Sequence, residues 1–199
     1  MKVQQLCQKE KPIASLRALL FASEQAINHI VTVIMATITL GGKPIQTAGD
    51  LPAVGSKAPD FRLTRMDLQD IRLSDFAGKN VILNIFPSVE TGVCASSTRT
   101  FNKLASELKD TAVICVSKDL PFAFKRFCGA EGIDTVVCAS EYKDRSFSEN
   151  YHTEILNGGF AGLMSRAVVV VGPDGNVRYT EQVPDIGQEP AYDKAIAAL

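Results

Sequence analysis

The run Val81-Ile82-Leu83-Asn84-Ile85-Phe86 leaves the chain little choice of fold. It is almost continuously apolar, so it reads as a strand covered on both faces rather than one with a wet side. Gly78-Lys79-Asn80 bounds it on one side, and Pro87 ends it on the other, because proline has no N–H for a ladder. Gly92 loosens the turn that follows, and Val93–Leu108 has helical spacing, with Phe101, Leu104, Ala105 and Leu108 on one face. Cys94 therefore falls in the first turn of a helix that rises from the C-terminal end of a central strand. Unpaired N–H groups and the positive end of the helix dipole favour negative charge on its sulfur. The alternative is a small, inert, buried side chain filling that turn.

The rest of the chain repeats this alternation. Ala36–Leu40 and Lys43–Thr47 flank Gly41-Gly42 as a β-hairpin, and Phe61–Leu63 and Ile71–Leu73 make a second short antiparallel pair. Ser74–Gly78 reads as a helical turn closed by glycine. Ala112–Ser117 is an apolar strand. Leu120 or Pro121 opens a helix to Phe127 or Cys128, and Thr135–Cys138 is another strand. A short helix is expected over Ser146–Tyr151. Ala167–Val171 and Val177–Thr180 flank a tight turn, and Ala191–Leu199 closes as a helix. Strands alternating with helices, then a terminal hairpin, predict an α/β sandwich with a mixed central sheet.

Residues 1–34 stand apart. Arg17–Ile34 has helical apolar spacing, but Ser23-Glu24-Gln25 cuts the apolar run too short for a bilayer or a signal peptide. A targeting leader, an extra helix and translation from a start upstream of the true one all fit. The last is preferred, because Met35 opens the readable domain. Residues 1–34 are thus expected to pack poorly on a single domain spanning 35–199.

A net charge of −1 gives no electrostatic case for nucleic acid or an anionic membrane. The five cysteines, Cys7, Cys94, Cys115, Cys128 and Cys138, are too scattered for a secreted disulfide scaffold, and no CxxC occurs. With only His29 and His152 beside them, a zinc site is not expected, and no cofactor is implied. Reduced thiols in a cytoplasmic compartment are the default. Cys115 and Cys138 lie inside apolar strands and read as inert, and Cys7 receives no role. Gly158-Gly159 and Gly162 read as a flexible loop without a phosphate motif.

Three stretches carry a resemblance. Pro87, Thr91 and Cys94 fit the peroxiredoxin pattern of Pro, three residues, Thr, two residues, Cys. Asp119-Leu120-Pro121-Phe122-Ala123 running to Arg126-Phe127-Cys128 and Ser165-Arg166-Ala167-Val168-Val169-Val170 agree with it. From Met35 to Leu199 the chain resembles the thiol peroxidase subfamily. That resemblance implies a thioredoxin-like fold and reduction of hydroperoxides by Cys94, with no metal, haem or flavin. It also implies Cys128 as resolving thiol in a Cys94–Cys128 disulfide, thioredoxin as reductant, a homodimer and a taste for alkyl hydroperoxides.

The chemistry can be argued for each residue. A thiolate attacks the O–O bond. Arg166 carries a permanent charge and can donate to the leaving oxygen. Thr91, one turn before Cys94, can bond the sulfur or cap the helix. Pro87 can fix the loop and keep water out. A disulfide needs Cα atoms within about 7 Å. If the reduced fold holds Cys94 and Cys128 farther apart, their helices must partly unwind. Two rivals remain: a redox-inert thioredoxin-fold binding module, and a cysteine acyl transferase using His152.

Overall fold

The structure is a computed structural model and describes residues 35–199. The expectations for residues 1–34, including the Arg17–Ile34 helix and Cys7, lie outside the described residues.

Two sheets form. Strands β1 (Thr37–Leu40) and β2 (Lys43–Gln46) make the separate hairpin. The main sheet has seven strands in the order β4-β3-β7-β6-β5-β8-β9. These are β3 (Arg62–Arg65), β4 (Asp70–Arg72), β5 (Asn80–Ile85), β6 (Thr111–Ser117), β7 (Val137–Ser140), β8 (Ala167–Val171) and β9 (Val177–Gln182). Strands β5, β6 and β7 are parallel to one another, and the flanking pairs are antiparallel, so the sheet is mixed. This is the expected thioredoxin-like α/β architecture.

The period of two along each strand explains the layering. Ile82, Val113, Cys115, Val168 and Val170 point to the face covered by α1 (Gly92–Ala105), α2 (Pro121–Glu131) and α4 (Tyr192–Ala197). Val81, Leu83, Ile85, Ile114, Val116, Val169 and Val171 point to the other, where α3 (Ser146–Tyr151) lays down Phe147 and Tyr151. Burial on both faces is why the strands read as unbroken apolar runs.

Boundaries differ from expectation where side chains or glycines intervene. Strand β7 begins at Val137 rather than Thr135, because the Thr135 and Val136 N–H groups donate to Asn102 Oδ1 on α1 at 2.9 and 3.2 Å. Helix α2 runs past Cys128 to Glu131 and stops at Gly132, whose φ of 66° is the left-handed conformation glycine tolerates. Cys128 is therefore inside the helix rather than at its end. In the second antiparallel pair β3 begins one residue later and ends two later than expected, β4 lies one residue earlier, and Leu73–Phe76 is a 3₁₀ turn.

The β1–β2 hairpin is not a detached appendage. Ile38 and Ile45 pack with Ile155 and Ile186, and Leu40 and Phe160 join them. Thr39 bonds through its backbone to Pro184 O and from Ile186 N at 2.8 and 2.9 Å. Asp185 completes the seam. Its carboxylate accepts from Thr39 Oγ1, from Gly42 N at 3.1 Å and from Gly187 N at 2.8 Å. Those donors, the Thr39 hydroxyl first, lower its pKa from 3.8 to about 2. A carboxyl depressed in the fold contributes stability above its unfolded pKa and loses it as pH falls through the folded one. The hairpin seam is therefore expected to loosen as pH drops from 3.8 through about 2. Amide exchange at Thr39 and Ile186 should accelerate over that window in the wild type, and Asp185→Asn should abolish the pH dependence.

Candidate active site

Thr91 is the N-cap of α1, with extended φ and ψ of −94° and 145°. Its hydroxyl makes no capping bond to the helix. Instead Oγ1 lies 2.7 Å from Cys94 Sγ and 3.1 Å from Ser88 O. A hydroxyl has one proton to give. With a protonated Cys94, the thiol donates to Thr91 Oγ1 and Thr91 donates to Ser88 O. With an ionised sulfur, the same proton swings to Cys94. Thr91 thus serves either state without moving a heavy atom.

Arg166 arrives from the residue before β8 and is 1% exposed. Its Nε donates to Ile186 O at 2.8 Å and its Nη2 to Cys94 Sγ at 3.3 Å. Its own carbonyl accepts from Gln182 Nε2 at 2.8 Å and Val183 N at 3.0 Å, so backbone and side chain are both fixed. It makes no carboxylate salt bridge among the described residues. Its Nη1, buried beside the cysteine, has no protein partner among them either. Guanidinium does not lose its proton in a protein. The Cys94 sulfur lies within its hydrogen-bond reach, and Nη1 is a donor left over for whatever sits beside it. The surface salt bridge that a strand-start arginine commonly makes does not form here.

A cavity of about 220 Å³ opens against Arg166 and Thr91. Thr91, Gly92, Val93 and Arg166 form its base, and Leu40, Phe160, Ile186 and Gly187 its apolar wall. The hairpin and the glycine-flanked loop before β8 therefore both build the site, a role their sequence did not disclose. Cys94 is fully buried and does not itself line the cavity, and Ser97 and Thr98 donate to its carbonyl at 2.9 Å each. Pro87 is buried in the loop after β5 but does not line the cavity. Cys128 is 4% exposed, and its Sγ lies 3.4 Å from Cys138 Sγ. The structure brings together Cys94, Thr91 and Arg166, and it places the Cys128 thiol against a different cysteine. His152 caps α3 in a left-handed conformation, and its Nδ1 pairs with Asp50 O at 2.7 Å. It is held there and not by Cys94, which leaves the acyl-transferase reading without a base.

In the sequence Asp119 stands only as part of a motif, yet it holds the cysteine loop in place. Its carboxylate accepts from Ser88 Oγ, Val89 N and Ser117 Oγ, each at 2.7 Å. Ser117 ends β6, and Asp119 leads into α2, so this carboxylate ties the Cys94 loop to the root of the Cys128 helix. Glu90 and Arg126 form an exposed ion pair across the same gap. An acid just past the C-terminal end of a buried parallel strand was the available signal, since open α/β sheets place their sites there.

Known proteins resemble this chain in sequence and in fold. Residues 53–196 match the Redoxin family. A thiol peroxidase of Mycobacterium tuberculosis is 59% identical over 165 residues, covering 83% of this chain and 99% of the relative. A peroxiredoxin-like protein from Aquifex aeolicus superposes with a TM-score of 0.77 at 34% identity, over 83% of this chain and 99% of its own. A thiol peroxidase from Chromobacterium violaceum has a TM-score of 0.75 at 19% identity, over 81% and 94% of the two chains, and shows the shared fold.

Removing Asp119 leaves the Val89 N–H and two hydroxyls without their acceptor. Asp119→Ala should cost about 1–3 kcal/mol in urea unfolding and speed amide exchange across residues 88–94. Unchanged exchange there would mean that packing alone holds the loop.

Proposed function

Because the chain belongs to the thiol peroxidases of the redoxin family, we propose that Cys94 is its peroxidatic thiol, Cys128 its resolving thiol and Arg166 and Thr91 its positioning donors. The observation that carries this reading is the buried Arg166 guanidinium, with one nitrogen on Cys94 Sγ and the next unpartnered beside it. A peroxide oxygen in the cavity gives that nitrogen its acceptor.

The chemistry follows from the positions. The Cys94 sulfur attacks one oxygen of the hydroperoxide, the O–O bond breaks, and the electron pair leaves on the other oxygen. Arg166 Nη1 stabilises that oxygen as charge grows on it, and a proton completes the alcohol or water. Cys94 is left as a sulfenic acid. The Cys128 thiol then attacks that sulfur, water departs, and a Cys94–Cys128 disulfide results. A thioredoxin-like dithiol reopens the bond, and we assign that role to thioredoxin itself. The apolar wall of Leu40, Val93, Phe160 and Ile186 suits an alkyl hydroperoxide.

Resolution requires rearrangement. The Cys94 sulfur faces Thr91 and Arg166, while the Cys128 sulfur faces Cys138 from the interior of α2. Each must leave its partner, so the first turn of α1 and part of α2 unwind together. Pro87 limits that unwinding by fixing the loop at its β5 end. A reducing compartment suits this cycle, and the cytoplasm is the natural assignment. A homodimer and a catalytic unit spanning residues 35–199 complete the reading. The redox-inert binding module loses its motive, since an inert cysteine would not call for a buried cation.

One equivalent of cumene hydroperoxide should remove two hydrogens from the intact mass of the wild type and add one oxygen to Cys128→Ser. Arg166→Met should slow peroxide consumption about 10²–10³-fold, the usual loss for one transition-state donor. An unchanged mass in both proteins would overturn the assignment of Cys94.

A further inference from the structure

The resolving thiol does not rest against the cysteine it must attack. Cys128 Sγ, on the inner side of α2, lies 3.4 Å from Cys138 Sγ on β7. The two are 4% and 1% exposed. Formation of an S–S bond of about 2 Å needs only a small approach from there, with α2 still wound. Cys115 lies directly across from Cys138 on parallel β6, but its sulfur contacts Asn84 Nδ2 at 3.5 Å and is not the one against Cys128. Sequence reading treats Cys138 as an inert core thiol, and the reaction above leaves it unused.

We propose that Cys138 is a second acceptor for the disulfide: by thiol–disulfide exchange the Cys94–Cys128 bond passes to Cys128–Cys138, and Cys94 is freed. The inference rests on the Cys94–Cys128 disulfide of the preceding subsection. The Cys138 thiol loses its proton to solvent, and its sulfur bonds to the Cys128 sulfur. The Cys94–Cys128 bond breaks, and the electron pair leaves on Cys94. No further oxidant is needed, because the hydroperoxide already supplied the oxidising equivalent.

Two features drive the transfer forward. The leaving sulfur is the one that Arg166 and Thr91 stabilise as an anion, and a better leaving thiolate departs faster. The Cys94–Cys128 bond also holds α1 and α2 partly unwound, whereas Cys128 and Cys138 already touch in the wound fold. A third feature sets the pace. Hydrogen bonding to Cys115, with burial behind it, raises the Cys138 thiol above the ordinary range. Its thiolate is scarce, so the transfer is slow. An abundant external dithiol meets the Cys94–Cys128 bond first, and a scarce one leaves time for the exchange. Oxidising equivalents are then parked in the core, and Cys94 can take a second hydroperoxide.

A time course tests this. Reduced full-length protein receives one equivalent of cumene hydroperoxide without dithiol. Samples are acid-quenched at intervals, alkylated in denaturant and mapped by non-reducing peptide mass spectrometry. The Cys94–Cys128 peptide should appear first and then give way to Cys128–Cys138, as Cys94 becomes alkylatable again. In Cys138→Ala the Cys94–Cys128 peptide should persist. The wild-type time course decides the matter even if that variant fails to fold. A Cys94–Cys128 bond that persists in the wild type while Cys138 stays alkylatable overturns the transfer and leaves the peroxidase reading intact. A Cys128–Cys138 bond forming equally fast in Cys94→Ser overturns it too, since oxidation would then be direct. Absence of any disulfide would sink both readings.

Discussion

Among the described residues, Arg166 is a buried cation without a carboxylate partner, and the site is built around it. Transferring an ion from water into a protein interior costs several kcal/mol even after relaxation. Among the described residues, Arg166 meets that cost with the Ile186 carbonyl and the Cys94 sulfur, not with an acid. Much of the architecture answers to this one side chain. Strand β8 presents it and β9 pins its backbone through Gln182 and Val183. The Ile186 carbonyl that orients its Nε lies in the segment the hairpin holds through Thr39 and Asp185. Helix α1 supplies the sulfur. Loosening any of these would leave the guanidinium an uncompensated buried charge.

The sheet makes such a site possible. Strands β5 and β6 run parallel, so their C-terminal ends open on the same edge, and both following helices start there. Antiparallel β8 enters the sheet from that edge, which places Arg166 beside Cys94 though 72 positions separate them. Side-chain alternation then decides which thiols share a face. Cys94, Cys115, Cys128 and Cys138 all belong to the cluster between the sheet and α1, α2 and α4.

How much of this was legible in the residues depends on the range of the interaction. Strands β5, β6 and β8 announce themselves, because unbroken apolar runs have few other uses. Helix α3 falls on its predicted residues, Ser146–Tyr151. Cys94 at a helix start was readable from Pro87 and Gly92, and Arg166 was readable from its strand. Long-range side-chain bonds were not. Nothing local in Thr135-Val136 tells that Asn102 takes their N–H groups and delays β7. Nothing in Cys128 or Cys138 alone tells that their sulfurs meet. Asp119 was in plain view, but its part depends on three donors from two other segments.

The stability of the cysteine loop is divided between unequal restraints, and that division suits the opening of α1 that the proposed disulfide requires. The Glu90–Arg126 pair at the rim is largely solvated, with 48% and 66% of its side chains exposed. Exposed pairs of this kind contribute about 0–1 kcal/mol, so parting them costs little. Asp119 is a stronger anchor. The hydrogen bonds it accepts from Ser88 and Val89 are partly buried and charge-assisted, the stronger class of hydrogen bond. Cys94 lies beyond that anchor, on the far side of Thr91. Opening can therefore release the rim pair and the first turn of α1 while Asp119 keeps the loop's root attached to β6. The strand end and the Arg166 cavity stay in place, and the sulfur that leaves can return to the same donors.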